Sequence, residues 1–362
     1  MDYAGRLRAL AGRMREKDID LTLLFDRDNV RYFTGFRLNQ AACSILAVDR
    51  EGCPTYIVAQ LDFERAKREC WIERIVPFPE DAPNRLSALG PLFHGAVRRV
   101  GVEKASLTLR HAEYLRGLGR TGVELVDIEG LVADLRLIKT EEELIYIRRA
   151  AEIASRVMRT ILREIRPGAT EAELVGLVEY LLRREGAEGA SFEPFLMSGE
   201  EAAWPRRVAS GKSLQRGELA LLDMGAVYEG YCSDITRTFP VGEPTEKQRR
   251  IFRVTREAQE AALANIRPGV KASEVDHAAR EVIEAEGLGE FFPHLTGHGV
   301  GLSIHEDPIL DRGMEMELRA GMVMTVEPGV YLPGVGAARV EDMVVVTQTG
   351  YEILTDVPRD LV

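Results

Sequence analysis

Polar and apolar positions along the chain fall into two regimes. Up to about residue 130, short apolar runs such as DLTLLFD (20–26), CSILAVD (43–49) and TYIVAQ (55–60) have strand length and are rich in aliphatic and β-branched residues. Residues 4–16 and 108–118 carry helical spacing instead, so the alternation predicts an α/β domain over residues 1–130. The pattern then changes. Thr140 followed by Glu143 is a capping-box signature, and Leu144, Ile147, Ala151, Ala154 and Ile161 recur on one face behind it. A long helix is predicted there, within a second domain over residues 131–362.

That second domain repeats itself. A helix ending in IRPG at 165–168 and a second helix closing at Gly186 recur as IRPG at 266–269 and Gly287. The strands that follow also match: GELALLDMG (217–225) and GMVMTVEPG (321–329) share the order Gly, five residues, an acid, one residue, Gly. The expectation is a duplicated helix-helix-strand-strand unit about a pseudo-twofold axis, and an α+β chain as a whole.

Each repeated strand is apolar but for one acid, Asp223 or Glu327. A carboxylate on a buried strand costs several kcal/mol, of the order of a few, unless something compensates it. Each strand leads through a turn to a returning strand, CSDITRTF or AARVEDMVVV. Hairpins centred on Tyr228-Glu229 and on Gly334 set Asp223 opposite Asp234, and Glu327 opposite Glu341. Facing acids oppose folding unless protons or cations lie between them, and four carboxylates match the charge of two divalent ions. Arg237 and Arg339 read as charge partners of these acids.

The stretch HLTGHGVGLSIHEDP (294–308) carries three of the chain's six histidines, His294, His298 and His305, among glycines. Imidazole on a glycine-flanked strand can approach a carboxylate cluster closely, so one of the three is expected to complete the site. Hard oxygen ligands with a single nitrogen favour Mn(II), with Co(II), Fe(II) or Zn(II) as alternatives. His94, His111 and His277 lie in helix-like surroundings and receive no chemistry. Trp204 and Phe195 are expected in the core, with a substrate-binding wall as the alternative.

Bulk properties narrow the setting. At 362 residues neither disulfides nor metal are needed merely to hold a core, so any metal is functional. A formal charge of −11 lacks the basic footprint of a nucleic-acid binder. The start, MDYAGRLRALAGRMREKD, has no signal-peptide core, and no run reaches membrane-spanning length, so a soluble, cytoplasmic protein is expected. Cys43, Cys53, Cys70 and Cys232 lack metal-type spacing and read as thiols in a reducing compartment.

At LLDMGAVYEGYCSDITRTF, HLTGHGVGLSIHEDP, TVEPGVY and ARVEDMVVV the sequence resembles the pita-bread metallopeptidases, the family of methionine aminopeptidase, aminopeptidase P, prolidase and creatinase. DNVRYFTGF (28–36) is similar to the creatinase/prolidase N-terminal domain. The resemblance implies that Asp223, Asp234, His298, Glu327 and Glu341 ligate a dinuclear centre, with Asp234 and Glu341 bridging. It implies Glu327 as the group that takes and returns a proton, His305 near the scissile carbonyl and His294 lining the pocket. Peptide-bond hydrolysis before proline in short peptides is the implied activity, by a homodimer. Two positions depart from the family's usual pattern. Arg206 stands where a histidine is common, and Ile309 where dipeptide-specific prolidases often carry arginine. Arg206 and Arg339 are therefore the candidate substrate-binding cations. The alternatives are an enzyme of this fold acting on a non-peptide small molecule, and a metal-free binding module.

Overall fold

The computed structural model describes residues 1–39, 42–79, 85–93, 97–118, 122–205 and 208–360. Two compact units divide between Arg136 and Leu137.

The first unit is one mixed sheet with helices. Its elements are α1 (Tyr3–Glu16), β1 (Leu21–Leu24), α2 (Arg27–Thr34), β2 (Ser44–Asp49), β3 (Pro54–Ala59), α3 (Phe63–Glu69), β4 (Ile75–Phe78), β5 (Arg99–Val102), α4 (Leu109–Arg116), β6 (Glu124–Asp127) and α5 (Glu129–Leu137). The strand order is β4-β3-β2-β1-β5-β6. β1, β2 and β3 pair antiparallel, while the three outer pairings, β3–β4, β1–β5 and β5–β6, are parallel. Central strands buried along their length explain why the sequence shows continuous apolar runs rather than alternation. α2 starts where Asp26 accepts from the backbone N–H groups of Asp28 and Asn29, satisfying donors that the first turn leaves free.

The second unit begins with α6 (Glu141–Ile161), whose N-terminus is the expected capping box of Thr140 and Glu143. Then follow α7 (Glu171–Arg184), β7 (Gly189–Ala190), β8 (Phe195–Ser198), β9 (Glu218–Met224), β10 (Ala226–Tyr228), β11 (Tyr231–Cys232) and β12 (Ile235–Val241). The second copy comprises α8 (Glu246–Ala264), α9 (Ala272–Ala285), β13 (Gly297–Gly299), β14 (Glu306–Leu310), β15 (Val323–Val326), β16 (Gly329–Leu332), β17 (Gly336–Arg339), β18 (Asp342–Val346) and β19 (Tyr351–Ile353).

The duplication reaches individual hydrogen bonds. Gly168 N–H donates to Leu214 O and Gly269 N–H to Leu318 O; Thr170 bridges Ser213 as Lys271 bridges Glu317. Each copy has its own apolar core. One packs α6 and α7 against Leu196, Ala220, Leu222 and Met224; the other packs α8 and α9 against Met324, Val326, Val344 and Val346. Alternation along β9 therefore sends Leu222 into the helical layer and Asp223 to the other face.

Hairpin register agrees with expectation in one copy and not in the other. Pairing on both sides of Glu327 and Glu341 sets these two level with each other, about a turn centred on Gly334. In the first copy the turn is Glu229-Gly230, both with positive φ (48° and 84°), not Tyr228-Glu229. Moving the centre by one residue moves each partner by two. Asp223 is level with Thr236, and Asp234 lies two residues nearer the tip on the same face. The two acids are diagonal neighbours, still within reach of each other.

Leu222 is fully buried between β9 and the α6/α7 layer. Leu222→Ala is expected to cost about 2–5 kcal/mol. A urea melt followed by circular dichroism measures it; a midpoint equal to wild type would contradict this packing.

Candidate metal centre

The acids reach one place because their strands end there. Asp223 is the penultimate residue of β9, flanked by Phe195 and Thr236 on neighbouring strands. Asp234 occupies the break between β11 and β12, Glu327 that between β15 and β16, and Glu341 that between β17 and β18. Backbone groups freed by two of these breaks find partners nearby. Glu327 N–H donates to Thr296 O at 2.7 Å and Glu341 N–H to Thr236 O at 3.2 Å.

His298 lies on β13 between Gly297 and Gly299. A Cβ at either glycine would sit 2.1 Å from a neighbouring carbonyl, of Thr325 or Asp307, so only glycine lets these backbones close around the imidazole. His298 Nδ1–H donates to Gly299 O at 3.0 Å, which leaves the Nε2 lone pair facing the acids. Nε2 is 3.3 Å from Glu327 and 3.6 Å from Asp234. One ligand atom each from Asp234, His298 and Glu341 lies within 4.8 Å of the others. Asp223 is set slightly apart, accepting from Arg339, whose Nε is 4.0 Å from Glu327.

All five residues are at most 9 % exposed, and their protonation reflects it. Burial, and then the charges of Glu341, Asp223 and Glu327, push Asp234 well above the carboxylate range. Glu341 is raised likewise by burial and by Glu327 and Asp223. Asp223 is raised by burial, with Arg339 opposing. Glu327 goes the other way: burial favours its neutral form, but His298 and Arg339 hold it down to about 2. Burial also works against a charged His298, yet Glu327 and Asp223 keep its pKa above the usual value.

These residues fit divalent metal. Among the described residues, Asp223 Oδ1, Asp234 Oδ1 and Glu341 Oε1 are buried with no hydrogen-bond partner. Each such acceptor costs about 1–3 kcal/mol, so three from adjacent acids call for a cation. Oxygen donors with one imidazole nitrogen are the donor set of a hard or borderline ion.

The other histidines lie beside this cluster. The His305 ring is centred 4.2 Å from that of His298, on an exposed bend. His294 donates from Nδ1 to Leu295 O and accepts at Nε2 from the Tyr331 hydroxyl, 3.1 Å away. Burial lowers its pKa to about 4, so it is neutral at physiological pH. Arg339, expected to bind substrate, is buried with every nitrogen engaged: Nη1 donates to Tyr331, Nε to Thr236 and Nη2 to Asp223. Its charge is thus turned toward the acids. Arg206, with Arg207, and His94 lie outside the described residues. Ile309 is level with His298 across the β13–β14 pair.

Tyr331, Thr236 and Thr325 are site neighbours that sequence reasoning missed. Thr236 donates to Glu341 at 2.7 Å and Thr325 to Glu327 at 3.1 Å. The available signal was period two: Thr325, Glu327 and Tyr331 share parity and hence a face. Phe195 packs partly buried with Met197, Leu221 and Tyr331, whereas Trp204 is 64 % exposed and is not a core residue. Its short preceding 3₁₀ turn leaves the indole outside both cores. Tyr231 packs within the unit and donates to Glu143 at 2.9 Å. His111 and His277 lie on α4 and α9 as expected.

Similarity to known proteins identifies the family. The family model described as metallopeptidase family M24 matches residues 146–348, and that of the creatinase/prolidase N-terminal domain matches residues 6–138. The chain is 37 % identical to a Xaa-Pro dipeptidase of Pyrococcus horikoshii over 96 % of both chains. It is 38 % identical to that of Pyrococcus furiosus over 98 % of this chain and 99 % of the relative. A solved Xaa-Pro dipeptidase from Bacillus anthracis superposes with a TM-score of 0.92 at 34 % identity, covering 100 % of this chain and 99 % of that one. With the strands, the acids and the imidazole in this arrangement, the chain belongs to metallopeptidase family M24 and carries a creatinase/prolidase N-terminal domain.

Proposed function

We propose that this protein is a dinuclear-metal hydrolase that cleaves the peptide bond before proline in short peptides, with Xaa-Pro dipeptides as its first substrates. One observation carries the reading: four buried carboxylates and one imidazole converge, and three of the carboxylate oxygens have no hydrogen-bond partner among the described residues. Relatives named Xaa-Pro dipeptidases, alike over nearly the whole chain, support the substrate class. Asp223, Asp234, His298, Glu327 and Glu341 would hold the ions, and Mn(II) would be the preferred ion on donor hardness.

Divalent metal in that site supplies Lewis acidity, which lowers the pKa of water and polarises a carbonyl. The chain's own residues do the rest. Glu327, held ionised, accepts the proton of the attacking water and returns it to the departing nitrogen. His305 donates to the oxygen on which charge develops. Neutral His294, fixed by Tyr331 and Leu295, lines the pocket beside it. Arg339 holds Asp223 in place and opposes the rise that burial imposes on its pKa. Arg206 is proposed as a contact for an anionic substrate group. A cytoplasmic setting is proposed because the four cysteines form no disulfide, and no described helix is long and apolar enough to cross a membrane. A homodimer is the proposed assembly, on family resemblance.

The metal-loaded protein is expected to hydrolyse Xaa-Pro dipeptides in preference to Xaa-Pro-Yaa tripeptides and to matched dipeptides without proline. Equal rates on Xaa-Pro and Xaa-Ala would reject proline specificity. His305→Ala is expected to lower kcat by about 10²–10³-fold. Metal content by elemental analysis should stay at the wild-type level, since His305 is not a ligand. Asp234 and Glu341 have folded pKa values above their unfolded ones, so between the ordinary carboxylate range and those values the folded state holds protons the unfolded chain has released. Their contribution to stability is full below that window and lost as pH rises through it; His298, also raised, has the same sign, while His294, lowered to about 4, opposes these three groups below its unfolded pKa. The metal-free protein should therefore melt at lower temperature at pH of about 8 than at about 5.5, and Mn(II) should raise Tm more at the higher pH. Calorimetry of stripped and loaded protein decides; an apo Tm that climbs with pH contradicts the assignment.

A further inference from the structure

β12 and β18 belong to different hydrogen-bonded sheets, one of order β12-β9-β8 and the other β14-β13-β15-β18-β19. Asp234 immediately precedes β12 and Glu341 immediately precedes β18, so the spacing of this acid pair depends on how the two strands meet. Glu341 N–H reaches Thr236 O across the seam at 3.2 Å, near the long end of a hydrogen bond.

Arg237 closes the seam from behind. It follows Thr236 on β12, so its side chain points to the face opposite the acids. Nη1 donates to Thr236 O at 2.9 Å and to Glu341 O at 2.6 Å. Nη2 donates to Asp342 at 2.8 Å and to Val357 O at 2.7 Å, and Nε to Pro358 O at 2.9 Å. All five N–H donors of the guanidinium are used, and they tie one strand to the other and to the tail of the chain. Asp342, wholly buried, is held in turn by Arg359 at 2.7 Å, Gln259 at 3.0 Å and Thr355 at 2.7 Å. Because Asp342 follows Glu341, anchoring it behind the strand fixes where Glu341 projects in front.

We propose that Arg237, locked by Asp342 and the carbonyls of Val357 and Pro358, is a positioning residue that sets the Asp234–Glu341 spacing on which metal binding depends. The inference rests on the metal-binding reading above. Lysine at this position keeps the charge beside Asp342 but, as a point donor, does not span both strands. Co(II) titration of the stripped full-length protein, followed by its visible absorption and by calorimetry, tests this. Arg237→Lys is expected to weaken Co(II) binding at least about tenfold and to alter the absorption band, as geometry around the ion changes. Arg359→Gln, which loses a bond to Asp342 without touching the seam carbonyls, should lower Tm yet keep wild-type affinity and spectrum. If Arg237→Lys does not fold, deletion of residues 357–362 removes the two tail carbonyls and should weaken Co(II) binding in the same direction. Wild-type affinity and an unchanged band in Arg237→Lys, or in the deletion, overturn the positioning role and leave the metal reading standing. A wild-type protein that takes up no Co(II) overturns both.

Discussion

The fold is organised around a repulsion. Bringing four carboxylates out of water costs several kcal/mol each in effective terms, of order the whole net stability of a domain, about 5–15 kcal/mol. Arg339 offsets part of that at Asp223 and Glu327, and His298 part at Glu327. Among the described residues no arginine or lysine pairs with the side-chain carboxylate of Asp234 or Glu341, the two acids pushed well above the carboxylate range and the holders of two of the three unpartnered oxygens. A mobile cation is the remaining way to hold these acids ionised at neutral pH.

Everything around the cluster keeps it from relaxing. Two separate apolar cores, one per repeat, clamp β9 and β15 from their outer faces, so the acids cannot swing toward solvent without uncovering Leu222 or Val326. Fixed cations then act from two sides. Arg339 works within the cluster, through Tyr331 and Thr236 as well as Asp223, while Arg237 works from the reverse of the same strands. Close-packed interiors tolerate few intermediate arrangements, so the acids are held to a narrow set of positions.

Much of this was legible in the sequence for identifiable reasons. Duplication showed itself because the helix-closing glycines and the strand acids recur at near-constant offsets, and acids in apolar strands stand out against period-two alternation. The α6 capping box and the second hairpin followed from local residues alone. The first hairpin did not: Glu229 adopts a left-handed conformation usually taken by Asn, Asp or Gly, so the sequence favoured no unique turn centre. Trp204 escaped because an aromatic residue in a short irregular segment has no periodicity to assign it a face. Apart from Thr236, the partners of Arg237, at Glu341, Asp342 and the tail, lie more than a hundred residues from it along the chain, and no local pattern encodes that meeting.

The two repeats are not equivalent where it matters. His298 lies level with Thr325, beside the strand of Glu327; the matching place in the first repeat, level with Leu221 beside the strand of Asp223, holds Met197. Imidazole nitrogen therefore enters from one half alone. A perfectly symmetric floor would greet an incoming molecule identically from either end, whereas this one has a nitrogen-bearing pole and an all-oxygen pole. The cluster is therefore polar before anything binds, and its two ends differ chemically although the strands that carry them are copies of one pattern.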